Sequence, residues 1–144
     1  MNKLFFLVLF FSILVNANSI DEQIEKLSTS QKEWISQSCP KTLGPSLWKS
    51  CVQREITALM SGIPDADELA PEDSAWVKRS CPHSLGPSLV RTCVAREMTA
   101  IKSGMPLLNG LSDGNKNWVL QSCPKSLGPS LYRSCVIRES ATFR

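Results

Sequence analysis

The sequence predicts an all-α protein of three tandem helical hairpins, each stapled by a disulfide bond, after a cleaved signal peptide. Cys39, Cys81 and Cys123 follow one another at a constant interval of 42 residues, so one unit occurs three times without insertion. Within each unit, apolar residues recur at helical spacing between glycine and proline signals. We therefore expect one domain, residues 18–144, with three repeats over about residues 27–68, 69–110 and 111–144.

The first helix of each repeat is expected to begin at a capping residue and to end at a Cys-Pro pair. Ser28 can cap this helix in the first repeat, with Gln31 at the capping-box position. Pro71 suits the first helical position in the second repeat, and Ser112 can cap in the third. The helix must end near the cysteine, because a following proline such as Pro40 disfavours helical geometry at the residue before it.

The second helix follows a Leu-Gly-Pro-Ser-Leu sequence that begins at Leu43, Leu85 and Leu127. The glycine permits the turn and the proline presets the first helical turn. An apolar stripe is predicted to follow at intervals of three, four and seven residues: Leu47, Trp48, Cys51, Val52 and Leu59. Gly62 and Pro64 should end this helix, which gives a rod of about 24 Å.

The N-terminal sequence is typical of a secretory signal peptide. Lys3 precedes an apolar run over residues 4–15, and small residues at Val15 and Ala17 indicate cleavage after Ala17. This run is shorter than the roughly 20 residues that cross a bilayer, and no later run is longer. The mature chain is therefore expected to lack a transmembrane segment and to be periplasmic or secreted.

All six cysteines follow the predicted signal peptide, and an exported chain meets oxidising conditions in which paired thiols persist. Only one complete pairing treats the three repeats alike: Cys39 with Cys51, Cys81 with Cys93 and Cys123 with Cys135. Each such loop would stabilise the fold by about 3 kcal/mol in the chain-entropy model. His83 is the only histidine, so a structural zinc site in each repeat lacks ligands, and we expect neither metal nor cofactor.

The chain has a net charge of +3, and basic residues predominate over acidic ones within the hairpins. The start of each second helix is a candidate anion site, because backbone N–H groups and a serine hydroxyl lie there. The candidate anion-binding or partner-binding residues are Lys41, Ser46, Lys49, His83, Ser88, Arg91, Lys125, Ser130 and Arg133. The alternatives are a well-formed turn and solvated surface charge. No nucleic-acid module is present, so a nucleic-acid partner is not expected.

Two further recurring residues are expected to be structural. Trp34, Trp76 and Trp118 each lie five residues before a cysteine and are predicted to anchor the core. The carboxylates of Glu55, Glu97 and Glu139 should face the packed seam and accept hydrogen bonds from an indole, a helix start or a basic side chain. Three equivalent carboxylates do not provide an asymmetric acid and base, so no catalytic residue is predicted.

The string Trp-x4-Cys-Pro-x2-Leu-Gly-Pro-Ser-Leu-x3-Cys-x2-Arg-Glu at residues 34–55 resembles the Cys-paired tandem repeats of exported bacterial envelope proteins. The resemblance covers nearly all of the chain after residue 27 and implies helical hairpins and export, without an assigned activity. A fainter similarity is to helical periplasmic proteins of the lysozyme-inhibitor kind. We expect a non-enzymatic binding or scaffold module whose partner is an envelope protein or an anionic cell-wall component. The alternatives are an inhibitor of a cell-wall enzyme and, less favoured, a hydrolase.

Overall fold

The computed structural model describes residues 20–143, and the predicted signal peptide lies outside them. These residues form seven α-helices and four short 3-10 helices, without a strand, which confirms the all-α prediction. Helix α1 spans Ile20–Glu25, a segment in which the sequence did not predict a helix. The three hairpins are α2 with α3 (Thr29–Ser38, Pro45–Met60), α4 with α5 (Pro71–Ser80, Pro87–Lys102) and α6 with α7 (Asp113–Ser122, Pro129–Ala141).

The first helix of each hairpin begins where local sequence signals predict. The Ser28 hydroxyl accepts a hydrogen bond from the Gln31 N–H at 3.2 Å, and the Gln31 side chain accepts one from the Ser28 N–H at 2.9 Å. This is the predicted capping box. Pro71 begins α4, and the Ser112 hydroxyl caps α6. Each of these helices ends immediately before its Cys-Pro pair.

A 3-10 helix and a positive-φ glycine form the turn inside each hairpin. The 3-10 helices, which the sequence did not predict, span Lys41–Leu43, His83–Leu85 and Lys125–Leu127. Gly86 follows the second of them with a φ of 84°, a conformation that side-chain-bearing residues rarely adopt. The predicted glycine at the end of the second helix, Gly62, has a φ of 75°.

Each hairpin is closed by a disulfide bond. The three bonds are Cys39–Cys51, Cys81–Cys93 and Cys123–Cys135, with Cα–Cα distances of 5.8, 5.7 and 5.7 Å. This is the pairing that repeat symmetry predicted. Three intrachain disulfides indicate an oxidising, extracytoplasmic location. Over residues 20–143, every helix is too short or too polar to cross a membrane.

The hydrophobic core is divided into three clusters, one for each hairpin. The clusters contain Ile35, Val52 and Ile56 in the first, Val77, Val94 and Met98 in the second, and Val119, Tyr132 and Val136 in the third. The second helices connect the clusters, since α3 packs against α5 and α5 against α7. Trp34 packs against the second cluster and Trp76 against the third. Each of these tryptophans therefore completes the core of the following repeat, not of its own.

Candidate functional site

A buried glutamate of one repeat binds the start of the second helix of the next repeat. Glu55 in α3 accepts hydrogen bonds from the Ser88 N–H at 2.7 Å and from the Ser88 hydroxyl at 2.8 Å. Glu97 in α5 does the same with Ser130, at 2.6 and 2.8 Å. Each carboxylate thus lies at the positive end of a helix dipole, where a negative charge is stabilised.

An adjacent arginine completes the environment of each buried carboxylate. The Nε of Arg54 donates to Glu55 at 3.0 Å, and the Nε of Arg96 donates to Glu97 at 2.9 Å. Both guanidinium groups remain largely in solvent, whereas both carboxylates are buried. Among the described residues, every buried side-chain nitrogen and oxygen has a hydrogen-bond partner. The junction between repeats is therefore a fully bonded polar network.

A tryptophan forms the second contact of each junction. The indole N–H of Trp34 donates to the His83 carbonyl at 2.8 Å, and its ring stacks on the imidazole with centroids 3.7 Å apart. The indole N–H of Trp76 donates to the Lys125 carbonyl at 2.8 Å, and the ring contacts Tyr132 edge-on. The Lys125 ammonium lies 5.7 Å from the Trp76 centroid, within the range of a cation–π interaction.

Trp118 is the exception among the predicted core anchors. Its side chain is 50% exposed and contacts Phe143 edge-on at a centroid distance of 5.6 Å. The prediction that it anchors the core is wrong, because its two counterparts are covered by the repeat that follows them. Among residues 20–143, no repeat follows the third.

Two of the three candidate binding residues at equivalent positions of the second helices, Lys49, Arg91 and Arg133, bond to the preceding repeat. The Nε of Arg91 donates to the Gly62 carbonyl at 2.9 Å, and that of Arg133 donates to the Gly104 carbonyl at 3.0 Å. Both acceptors follow the C-terminus of the preceding second helix, where a cation is favoured. Arg91 and Arg133, which were predicted from the sequence only as candidate binding residues, therefore also connect successive repeats. Within residues 20–143, Lys49 makes no such bond.

The predicted anion sites at Ser88 and Ser130 are occupied by the protein's own carboxylates, so they are not open to an external anion. The corresponding helix start in the first repeat differs. Ser46 is exposed and receives no carboxylate from residues 20–143. A Cβ added at Gly86 would meet the Ser38 hydroxyl at 2.7 Å, whereas one added at Gly44 would meet no atom within 4 Å. The first repeat thus presents a junction surface that no other part of residues 20–143 covers.

Each internal junction also leaves a surface groove. The first has a volume of about 640 Å³ and is lined in part by Trp34 and His83. The second has a volume of about 790 Å³ and is lined in part by Trp76, Lys125 and Asp73. The charged residues differ between the two grooves, so the grooves do not repeat one binding chemistry.

Leucines are exposed at two equivalent positions of every repeat, and we call these six residues the leucine row. The first of each pair is 41% to 42% exposed and the second 55% to 64%: Leu43 with Leu47, Leu85 with Leu89, and Leu127 with Leu131. The prediction that Leu47 belongs to the buried stripe is wrong. Leu47 lies five residues before the buried Val52, which places it about 140° away around the helix.

The reactive groups near the junctions are already engaged. The hydroxyl of Ser88 donates to the Glu55 carboxylate, which is buried and also accepts hydrogen bonds from the Ser88 N–H and from Arg54. Potential metal-ligand atoms of Cys39, Cys51 and Glu55 lie within 4.8 Å of one another, but the two sulfurs form a disulfide bond and are not thiolates.

Comparisons with known proteins do not indicate a function, so the function is inferred from the geometry of the described residues. No protein-family model matches the chain, and neither a curated protein nor a solved structure matches it. The polar groups of the internal junctions bond to one another, whereas the leucine row is uncovered. The leucine row is therefore the best candidate binding surface for an external partner.

Proposed function

We propose that the protein is an extracytoplasmic binding module that holds an extended protein partner across its three repeats. The leucine row carries this proposal, because the same two positions are exposed in all three hairpins. Exposed apolar patches commonly mark interaction sites, and stacked repeats use extended surfaces for binding. The three disulfides would keep this surface ordered outside the cytoplasm.

The side chains beside the leucines favour a partner with both apolar and acidic groups. Arg54 follows Leu47 by seven residues, which is about two helical turns and places both on one face. The same spacing recurs in the other repeats, and the three arginines are 61% to 75% exposed. A guanidinium has five N–H donors, so an arginine that bonds to its adjacent glutamate retains donors for an acidic residue of the partner.

The proposed role is binding without catalysis. The recurring serine and glutamate side chains of the internal junctions support this role because they bond to each other across repeats. They join each hairpin to the next, so the equivalent leucines of successive repeats are held at fixed positions relative to one another. Loss of the leucines should therefore abolish partner binding while the junctions keep the fold intact.

The test is a triple substitution, Leu47→Ser, Leu89→Ser and Leu131→Ser, in oxidised protein used to capture proteins from an extracytoplasmic extract of the source organism. We expect the variant to retain its melting temperature and to lose at least about nine-tenths of each specifically captured protein, since central apolar contacts dominate interface energy. Met60→Ser with Leu107→Ser is the matched control, because these exposed side chains lie outside the row. Equal capture by the triple variant and the wild type would refute the proposal.

A further inference from the structure

The two internal junctions are built from the same parts on each side. The upstream repeat contributes a buried glutamate, a tryptophan indole and a serine at the end of its first helix. The downstream repeat contributes a Gly-Pro-Ser helix start and a carbonyl of its 3-10 helix. The indole N–H to carbonyl distance is 2.8 Å in both junctions, and both serine N–H groups lie within 2.7 Å of the carboxylate. One interface therefore occurs twice in the molecule.

The third repeat presents the upstream side of this interface uncovered. Among the described residues, the indole N–H of Trp118 has no acceptor, and Ser122 is exposed whereas its counterpart Ser80 is half-buried. Glu139 bonds through its carboxylate to Arg138 at 2.9 Å, and no serine from residues 20–143 donates to it. Each of these groups is satisfied or covered in the two repeats before it.

Phe143 contacts the Trp118 ring edge-on at this surface, with centroids 5.6 Å apart. Phe143 lies 84 residues after Leu59, so the two residues are equivalent in the repeat. Leu59 and Trp34 line the same groove in the first junction, beside His83. Leu59 lies inside α3, whereas Phe143 follows the end of α7 at Ala141, and half of the Trp118 side chain remains exposed beside Phe143.

The first repeat presents the downstream side of the interface, and this side contains a cavity. A cavity of about 390 Å³ is lined in part by Ile24, Ile35, Lys41 and Trp48. The residues that lie 42 positions later belong to the second core cluster, against which Trp34 packs: Ala66, Val77 and Val90, with His83 contributing the acceptor carbonyl. The cavity is therefore the first-repeat equivalent of the site that Trp34 fills in the second.

We infer that copies of this protein associate head to tail, with the third repeat of one copy docking on the first repeat of the next. Trp118 enters the cavity of the next copy and donates its indole N–H to the Lys41 carbonyl. Glu139 accepts hydrogen bonds from the Ser46 N–H and hydroxyl. The occupant is a second copy because its third repeat carries the tryptophan, glutamate and serine that recur on the upstream side of both internal junctions. Among residues 20–143, the third repeat has no counterpart of the Gly62 and Gly104 carbonyls that accept from Arg91 and Arg133.

This association joins two different surfaces, so it continues from copy to copy. A heterologous contact of this kind produces a ring if the rotation closes and a helical filament if it does not. The association extends the array of repeats, and with it the leucine row. The inference does not depend on the proposed binding function, because none of its contacts involves a leucine of that row.

The test uses two variants that each damage one side of the interface, studied by sedimentation velocity on the oxidised, exported chain. Trp118→Ala removes the upstream tryptophan but leaves the first repeat intact. Ser46→Glu places a carboxylate where Glu139 of the next copy would approach, and a negative charge at a helix start does not destabilise the fold. Wild-type protein should form species larger than a dimer as its concentration rises, and each variant alone should remain monomeric.

An equal mixture of the two variants should form a one-to-one dimer and nothing larger, because only one intact pair of surfaces remains. Leu107→Ala is the matched control, since this exposed side chain lies outside both junction surfaces, and it should assemble like the wild type. Wild-type protein that stays monomeric throughout the concentration series would overturn the inference. So would assembly of Trp118→Ala to wild-type size, or a mixture of the variants that stays monomeric. The triple leucine variant should assemble normally, which separates this test from that of the proposed function.

Discussion

The second and third repeats carry nearly the same sequence, yet their tryptophans and glutamates lie in different environments. Trp76 is half-buried and bonds to the next repeat, whereas Trp118 is half in solvent. The Glu97 side chain is 2% exposed and the Glu139 side chain 18%. The repeated motif therefore encodes one half of an interface as well as a hairpin, and the neighbouring repeat determines whether that half is used.

The largest difference in stability between the two repeats should appear when each tryptophan is replaced by alanine. Trp76→Ala is expected to lower the free energy of unfolding by about 3 kcal/mol, because it opens the third core cluster and removes the bond to Lys125. Trp118→Ala should cost less than about 1 kcal/mol in dilute protein, since exposed side chains contribute little. Denaturant unfolding under oxidising conditions measures both. Equal losses would show that the two tryptophans are equally anchored.

Removal of the equivalent glutamates of the two repeats should show a somewhat smaller difference in stability. Glu97→Ala leaves the helix start at Ser130 without its acceptor and should destabilise the protein by about 2 to 3 kcal/mol. Glu139→Ala removes a carboxylate that bonds to Arg138 at the surface and should cost less than about 1 kcal/mol. The same unfolding measurement applies. A Glu139→Ala loss as large as that of Glu97→Ala in dilute protein would contradict the contrast.

Loss of the Arg91 side chain, which bonds to the preceding repeat, should lower stability by a measurable but modest amount. Arg91→Gln removes the hydrogen bond to the Gly62 carbonyl and is expected to cost about 1 kcal/mol. Lys49→Gln is the matched control at the equivalent position of the first repeat and should leave stability within about 0.5 kcal/mol. Thermal unfolding at constant salt compares the two. If both substitutions have the same effect, the arginine bond does not contribute to the junction.

The smallest effect should be the pH dependence of the stability that Asp67, which lies just before α4, contributes. Hydrogen bonds from Lys78 and Ser74, together with the Lys78 charge, lower the pKa of Asp67 below its ordinary value. Because the folded-state pKa is the lower one, the stabilisation is present above the unfolded pKa and is lost as pH falls through the folded pKa. The melting temperature of the wild type minus that of Asp67→Asn should therefore shrink on acidification. If the difference in melting temperature grows on acidification instead, the pKa of Asp67 is not lowered by folding.

Much of the local structure could be predicted because its causes lie within a few residues of each other. The Ser28–Gln31 capping box, the helix end before Pro40 and the positive-φ Gly62 each follow from backbone chemistry at one point of the chain. The disulfide pairing followed from the exact repetition of the cysteines, which allows a single equivalent arrangement. The burial of Leu47 was mispredicted, because apolar spacing alone does not show which side of the helix a neighbour covers.

The sequence by itself determined the three hairpins, their caps and their disulfides, whereas the tertiary structure alone decided which equivalent residues are covered. Ser46, Ser88 and Ser130 lie in the same five-residue sequence, yet Glu55 and Glu97 occupy only the second and third of these helix starts. Local sequence cannot distinguish them, since it is the same in all three. The difference comes from contacts 33 residues apart in the chain, which exist only where one hairpin packs against the hairpin before it.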